Sequence, residues 1–149
     1  MRGALAVALA LAVAVGACGD DTKSKNAYVE KVNAAQSDFV AVVDDSGTRI
    51  QGNASDAETA TQLDMIRAAA AKVVAELHAI KPPDNVKSLH ASLVKEAQGL
   101  VAAFKKAADA YRSRDPAKIL SAKVDLTNDI DRVNKQLNAT IQQLNTKLH

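Results

Sequence analysis

Apolar residues recur at intervals of three and four positions along the chain after residue 25, which is the spacing of one buried face of an α-helix. No useful length alternates with period two, so the pattern gives no support for β-strands. The recurring positions form four stripes, of which the first is the shortest and contains a polar residue, Gln36. The stripes predict helices over about residues 26–50, 55–80, 83–113 and 115–147.

Helix-capping signals support two of these boundaries. Ser55 and Glu58 have the spacing of a capping box, in which each side chain accepts a hydrogen bond from the other residue's backbone N–H. Asp115-Pro116 is typical of an N-cap followed by the first helical residue, where proline is well tolerated. The second and fourth helices are therefore expected to begin at these residues.

The connections between the stripes are short, and this predicts the topology. Pro82-Pro83 interrupts the pattern between the second and third stripes. Helices joined by a few residues lie antiparallel to one another. We therefore expect an all-α fold, an up-down-up-down antiparallel four-helix bundle that follows an N-terminal signal peptide. The alternative is a three-helix core with the first helix loosely attached, because a polar residue lies in that helix's stripe.

The first seventeen residues have the features of an export signal. One positive charge, on Arg2, precedes an apolar run from Gly3 to Ala17 that contains no polar side chain. The run is shorter than the roughly 20 apolar residues that a membrane-spanning helix needs. A secretory signal peptide, removed after export, is the interpretation that fits.

The only cysteine of the chain follows this run directly. Val15, Gly16, Ala17 and Cys18 resemble the lipobox of bacterial lipoproteins. The resemblance implies that signal peptidase recognises Val15, Gly16 and Ala17, that residues 1–17 are removed, and that Cys18 carries the lipid. Residues 18–25 would then be the lipidated cysteine and a polar tether. An ordinary signal peptide with an incidental cysteine, or a free thiol, is the alternative.

Charge is unevenly distributed along the chain. Residues 20–80 carry 6 basic and 10 acidic side chains, whereas residues 81–149 carry 12 basic and 7 acidic ones. Over both segments together the basic and acidic side chains nearly balance, and this does not suggest a nucleic-acid partner. It suggests an acidic front half that packs against a basic back half. Because the first helix is expected to leave the membrane, the connections at residues 47–55 and 112–116 are expected at the outer tip of the bundle. Acidic residues such as Asp45 lie near basic ones such as Arg114 there, and this tip is one candidate site for a protein partner.

The chain lacks the common motifs of catalysis and cofactor binding. It has no Gly-x-Ser-x-Gly sequence and no phosphate-binding loop. His78 and His90 flank the proline turn, but each follows a leucine of a stripe and is expected at the margin of the core. Met65 offers a thioether without a clearly inward histidine. We therefore expect no catalytic residue, no metal site and no cofactor.

These observations favour an anchored protein that is not an enzyme. The lipobox and the alanine-rich helices resemble small helical lipoproteins of the actinobacterial type, many of which have no assigned activity. The expected location is the extracytoplasmic face of the cell membrane, with the membrane contacted through lipidated Cys18. The leading hypothesis is an envelope protein that binds another protein or a cell-wall component. The alternative is a carrier of a small apolar ligand or cofactor between the helices.

Overall fold

Four α-helices and one short 3₁₀ turn make up the computed structural model, which describes residues 20–52 and 54–148. The helices are α1 (Asp20–Gln51), α2 (Asp56–Ala79), α3 (Lys87–Arg112) and α4 (Pro116–Leu148), and the 3₁₀ turn is Asp84–Val86. Neighbouring helices pack in chain order. The expected all-α four-helix bundle is confirmed. The predicted signal peptide, with Val15, Gly16, Ala17 and Cys18, lies outside the described residues.

Both predicted N-caps are present. The Ser55 hydroxyl accepts a hydrogen bond from the Glu58 backbone N–H, and the Glu58 carboxylate accepts one from the Ser55 N–H at 2.8 Å. The Ser55 hydroxyl also donates to the Glu58 carboxylate at 2.7 Å, and this bond, together with the one from the Ser55 N–H, lowers the pKa of the Glu58 carboxyl. At α4, the Asp115 carboxylate accepts from the backbone N–H of Ala117 at 2.9 Å. Each cap satisfies backbone N–H groups that have no partner inside the helix.

Two helix starts differ from the sequence prediction. α1 begins at Asp20 and not near residue 26, so part of the segment predicted as a tether is helical. Residues 23–26 include no glycine or proline, and nothing in them interrupts a helix that is already formed further along. α3 begins at Lys87, because the chain leaves Pro83 in an extended conformation and makes the 3₁₀ turn first.

The helices pack in series, α1 on α2, α2 on α3 and α3 on α4. Within the described residues, no comparably close backbone packing joins α1 to α4. The ends of α3 and α4 meet where the Asn85 side-chain amide donates to the Lys147 carbonyl oxygen at 2.9 Å. Gln36 and Val40 of α1 nevertheless border the same cavity as Leu137 of α4, so these two helices are neighbours along a line without tight contact. We call this line the seam.

Alanine at the contacts explains how the other three pairs approach closely. Seven alanines of α2, α3 and α4 are at most 7% exposed, and side chains this small bring helix axes together. They are Ala60, Ala70, Ala97, Ala103, Ala107, Ala108 and Ala122. Larger side chains fill the space between the four helices, among them Val32, Phe39, Leu77, Phe104 and Leu144.

Candidate binding site at the seam

An apolar cavity lies behind the seam. All four helices contribute to its wall, and its volume is about 30 Å³. A buried water needs about 10–15 Å³ of such space, so the cavity is large enough for one or two waters but not for a larger molecule without movement. The lining residues, one of which is polar, are Gln36, Phe39, Val40, Ala70, Val73, Leu77, Leu93, Ala97, Leu100 and Leu137.

Gln36 is the polar residue of the lining and is only 6% exposed. Neither its amide oxygen nor its amide nitrogen makes a hydrogen bond with the part of the chain that the structure describes. A primary amide offers one acceptor oxygen and two donor hydrogens. Since burying an amide without compensating hydrogen bonds costs about 1–3 kcal/mol in proteins, Gln36 is a costly residue at this position.

The cavity lies close to solvent on the seam side. Val40, one turn along α1 from Gln36, is 40% exposed although it lines the cavity. On its other side α1 is held to α2, where Lys72 and Asp38 form an ion pair at 2.5 Å that raises the pKa of Lys72 and lowers that of Asp38. Of its two neighbours, α1 thus packs closely on α2 and less closely on α4.

A buried hydrogen-bonded group contacts Leu77, one of the residues that line the cavity. His90 Nε2 lies 3.0 Å from the carbonyl oxygen of Leu77, which can only accept, so Nε2 carries the proton. His90 Nδ1 then accepts from the Tyr28 hydroxyl at 3.2 Å. Burial lowers the pKa of His90; the bond to Leu77 raises it by a smaller amount, and the nearby His78 lowers it slightly. Burial raises the pKa of Tyr28 to about 12. The group ties α1, α2 and α3 together.

The sequence-based expectation for His90 was wrong. His90 is 7% exposed and belongs to the core, where its imidazole donates to the Leu77 carbonyl oxygen, which also accepts from the Ile80 N–H. His78, also expected at the margin of the core, is exposed, with its Nε2 3.4 Å from the Gln98 amide nitrogen. Met65 is 45% exposed on α2. Across residues 20–52 and 54–148, no three His, Cys, Asp or Glu side chains are grouped as metal ligands.

A second buried polar contact joins α3 to α4. The Thr140 hydroxyl donates to one oxygen of the Glu96 carboxylate at 2.9 Å, while the other carboxylate oxygen is buried without a hydrogen bond to any described residue. Burial raises the pKa of Glu96 more than the bond from Thr140 lowers it. This contact lies outside the cavity lining and helps to hold α4 on α3.

The charges at the outer tip pair with close neighbours. Asp45 binds Arg49 one turn away at 3.0 Å, and Arg112 binds Asp109 and, across to α2, Asp64. Among the ion pairs of the described residues, the Arg112–Asp64 pair is the one that joins the acidic half of the chain to the basic half. Arg114 is exposed and adopts a positive φ of 54° in the α3–α4 turn. The tip charges thus brace helix ends and do not converge on one point.

Comparison with known proteins adds no relative. The chain matches no protein-family model, and no curated protein or solved structure is significantly similar to it. Within the part of the chain that the structure describes, none of the helices has a stretch long and apolar enough to cross a bilayer. Among the features of the described residues, the seam cavity with its unpartnered Gln36 amide is the candidate binding site.

Sequence reasoning pointed to one part of this site. Gln36 was visible as the polar member of the first stripe, where such a residue often sets helix register. The cavity itself depends on the small side chains of Ala70 and Ala97 in its wall, and on the lack of close packing between α1 and α4. Helical spacing reports which face is buried, but it does not report the distance between two helices.

Proposed function

We propose that this protein is a lipid-anchored, extracytoplasmic helical bundle without enzymatic activity, and that it binds an apolar molecule in the seam cavity. The single observation that carries the binding proposal is the unpartnered Gln36 amide in an otherwise apolar cavity wall. Ligand sites are mostly apolar with a few placed polar groups, and they are common between the helices of bundles. This is the alternative that the sequence left open.

Entry of a ligand requires α1 to move, since about 30 Å³ is too small for a molecule of several carbon atoms. α1 is suited to this movement because it packs tightly on α2 alone. The Tyr28–His90 bond holds one part of α1 and the connection to α2 holds its far end. The middle of α1, which includes Gln36 and Val40, is the part that can separate from α4.

A lipid anchor at Cys18 would hold this cavity within reach of the membrane, since Gln36 lies about 24 Å along α1 from Asp20. Two or more acyl chains give stable anchoring, because each buried methylene contributes about 0.8 kcal/mol and a single chain is marginal. Cys18→Ser tests the anchor, and we expect unprocessed or released protein. Unchanged fractionation and gel migration of that variant would remove the lipid anchor from the proposal.

Ligand binding is tested by filling the cavity. Ala97 lines it, so Ala97→Val should occupy the space with two extra methyl groups, while exposed Ala102→Val makes the same change on the solvent side of α3. Protein isolated from its own membranes is extracted with organic solvent, and the extract is analysed by mass spectrometry. A molecule recovered stoichiometrically with the wild type and Ala102→Val, but not with Ala97→Val, supports the proposal. Equal recovery from all three proteins places any bound molecule elsewhere.

A further inference from the structure

We infer that Gln36 selects the ligand, and that the ligand is a hydrocarbon chain carrying a neutral amide group. This inference rests on the proposed function and specifies the chemistry of its site. The lining of the cavity favours a ligand with two properties, an apolar chain and a polar group that both donates and accepts a hydrogen bond. Nine of its ten lining residues are apolar, and the tenth has a donor and an acceptor that are both unsatisfied by described residues.

The hydrocarbon part follows from the shape of the wall. On α2 the lining runs from Ala70 to Leu77, and on α3 from Leu93 to Leu100. Seven residues of helix rise about 10 Å, so the wall is a narrow strip about two turns long. A flexible chain fits such a strip when α1 moves outward. A rigid ring system would require α1 to separate over a wider front, against the Tyr28–His90 bond.

The amide part follows from the geometry of Gln36. A primary amide on the ligand has one N–H on the same side as its carbonyl oxygen. It therefore supplies that N–H to the Gln36 oxygen and its carbonyl oxygen to the Gln36 nitrogen, so that two parallel hydrogen bonds satisfy both atoms. An ester carbonyl satisfies the nitrogen alone. Because no Lys, Arg or His lines the cavity, an ionised carboxylate would be buried without a counter-charge, which is strongly unfavourable.

A bound water is the competing occupant, because one water also donates and accepts and the cavity has room for it. Water and a lipid-like amide differ in one measurable respect. Water binding leaves the cavity closed to hydrocarbon probes, whereas the proposed ligand site must admit them. The test therefore compares probes that differ only at the polar group.

The experiment uses membranes that contain the full chain and two photoreactive probes of equal length. Each probe has a diazirine in the chain and an alkyne for recovery, and one ends in a primary amide while the other ends in a methyl group. Labelled sites are mapped by mass spectrometry. The measured quantity is amide-probe labelling divided by methyl-probe labelling on the peptides around Gln36 and Leu137. The proteins compared are the wild type, Gln36→Leu and the exposed-site control Gln136→Leu.

Dividing the wild-type ratio by the Gln36→Leu ratio cancels differences in how the two probes enter the membrane. We expect a quotient of about ten, since two net hydrogen bonds amount to roughly that change in affinity. Gln136→Leu should keep the wild-type ratio. Seam labelling with a quotient near one overturns the amide inference and leaves the proposed function standing. Absence of seam labelling by either probe, in all three proteins, overturns both and leaves water as the occupant.

Discussion

Replacing Gln36 by leucine should stabilise the ligand-free bundle. The side chain is 6% exposed, and both polar atoms of its amide lack a hydrogen bond to the described residues. Leucine is apolar and fills a similar length of the cavity wall. The substitution removes a buried, unpartnered amide from the folded state and leaves the other nine lining residues in place.

The expected magnitude comes from the cost of the buried amide. That cost is about 1–3 kcal/mol from mutational data, so we expect the free energy of unfolding to rise by about 2 kcal/mol. For a chain of this length, such a change raises Tm by roughly 5–10 °C. Gln136→Leu, on the exposed side of α4, should change the free energy of unfolding by less than about 0.5 kcal/mol.

The measurement is urea unfolding followed by far-UV circular dichroism, on protein refolded from denaturant so that it carries no ligand. A higher midpoint for Gln36→Leu, with an unchanged slope, supports the reasoning. A midpoint clearly below that of Gln136→Leu would refute it. That result would mean that the Gln36 amide has a hydrogen-bond partner in solution whose loss costs more than the gain from burying leucine.

Three further predictions concern the rest of the bundle. Because the folded-state pKa of His90 is lowered below 6.5, the contribution of His90 to stability is full above that pH and is lost on acidification. The urea midpoint should therefore fall between pH 7.5 and 5 in the wild type and in His78→Gln, but not in His90→Phe. Because the folded-state pKa of Glu96 is raised above 4.5, its contribution to stability is full below that pH and is lost as pH rises. In the same assay, Glu96→Gln should therefore stabilise the bundle more at pH 7.5 than at pH 4. An equal gain in stability at both pH values would contradict this. Gly99→Ala should raise the free energy of unfolding by about 0.5–1 kcal/mol, because a methyl group there meets Val133 at an ordinary contact distance of 3.5 Å, and a lower thermal midpoint would show that α3 and α4 cannot accept it.

Helical spacing and capping chemistry were enough to predict the fold. The Ser55–Glu58 capping box and the Asp115 N-cap use local hydrogen bonds between residues at most three positions apart, and both are present where the sequence places them. Local rules of this kind hold because they do not depend on the rest of the molecule. The first helix was predicted too short, since α1 begins at Asp20, several residues before the apolar pattern that identifies it.

The site depends on contacts that spacing does not encode. Tyr28 and His90 are 62 positions apart, and the imidazole is buried between the Tyr28 hydroxyl and the end of α2. The expected pairing of an acidic front half with a basic back half is limited to the Arg112–Asp64 ion pair among the described residues, for a similar reason. α1 lies against α2, which is also acidic overall, so that Asp38 finds Lys72 there and not a basic residue of α4.

The prediction of a protein or cell-wall partner at the outer tip stays a prediction. Asp45 and Arg112 are engaged in ion pairs, whereas Arg114 is exposed in the turn between α3 and α4. Crosslinking in cells from a photoreactive residue at position 114 would test it. Repeated capture of one protein, absent when the reactive residue is at exposed position 102 instead, is the positive result.

Opening of the seam can be measured directly as a distance between α1 and α4. Cys18 is the only native cysteine, so in a Cys18→Ser background spin labels placed through Ala41→Cys and Gln136→Cys report that distance by electron paramagnetic resonance. A second pair, Ala102→Cys with Gln136→Cys, reports the α3–α4 distance. Addition of the amide-terminated hydrocarbon probe should lengthen the α1–α4 distance by a few ångströms and leave the α3–α4 distance unchanged. An α1–α4 distance that stays the same at saturating probe would contradict the proposal that the seam is the binding site.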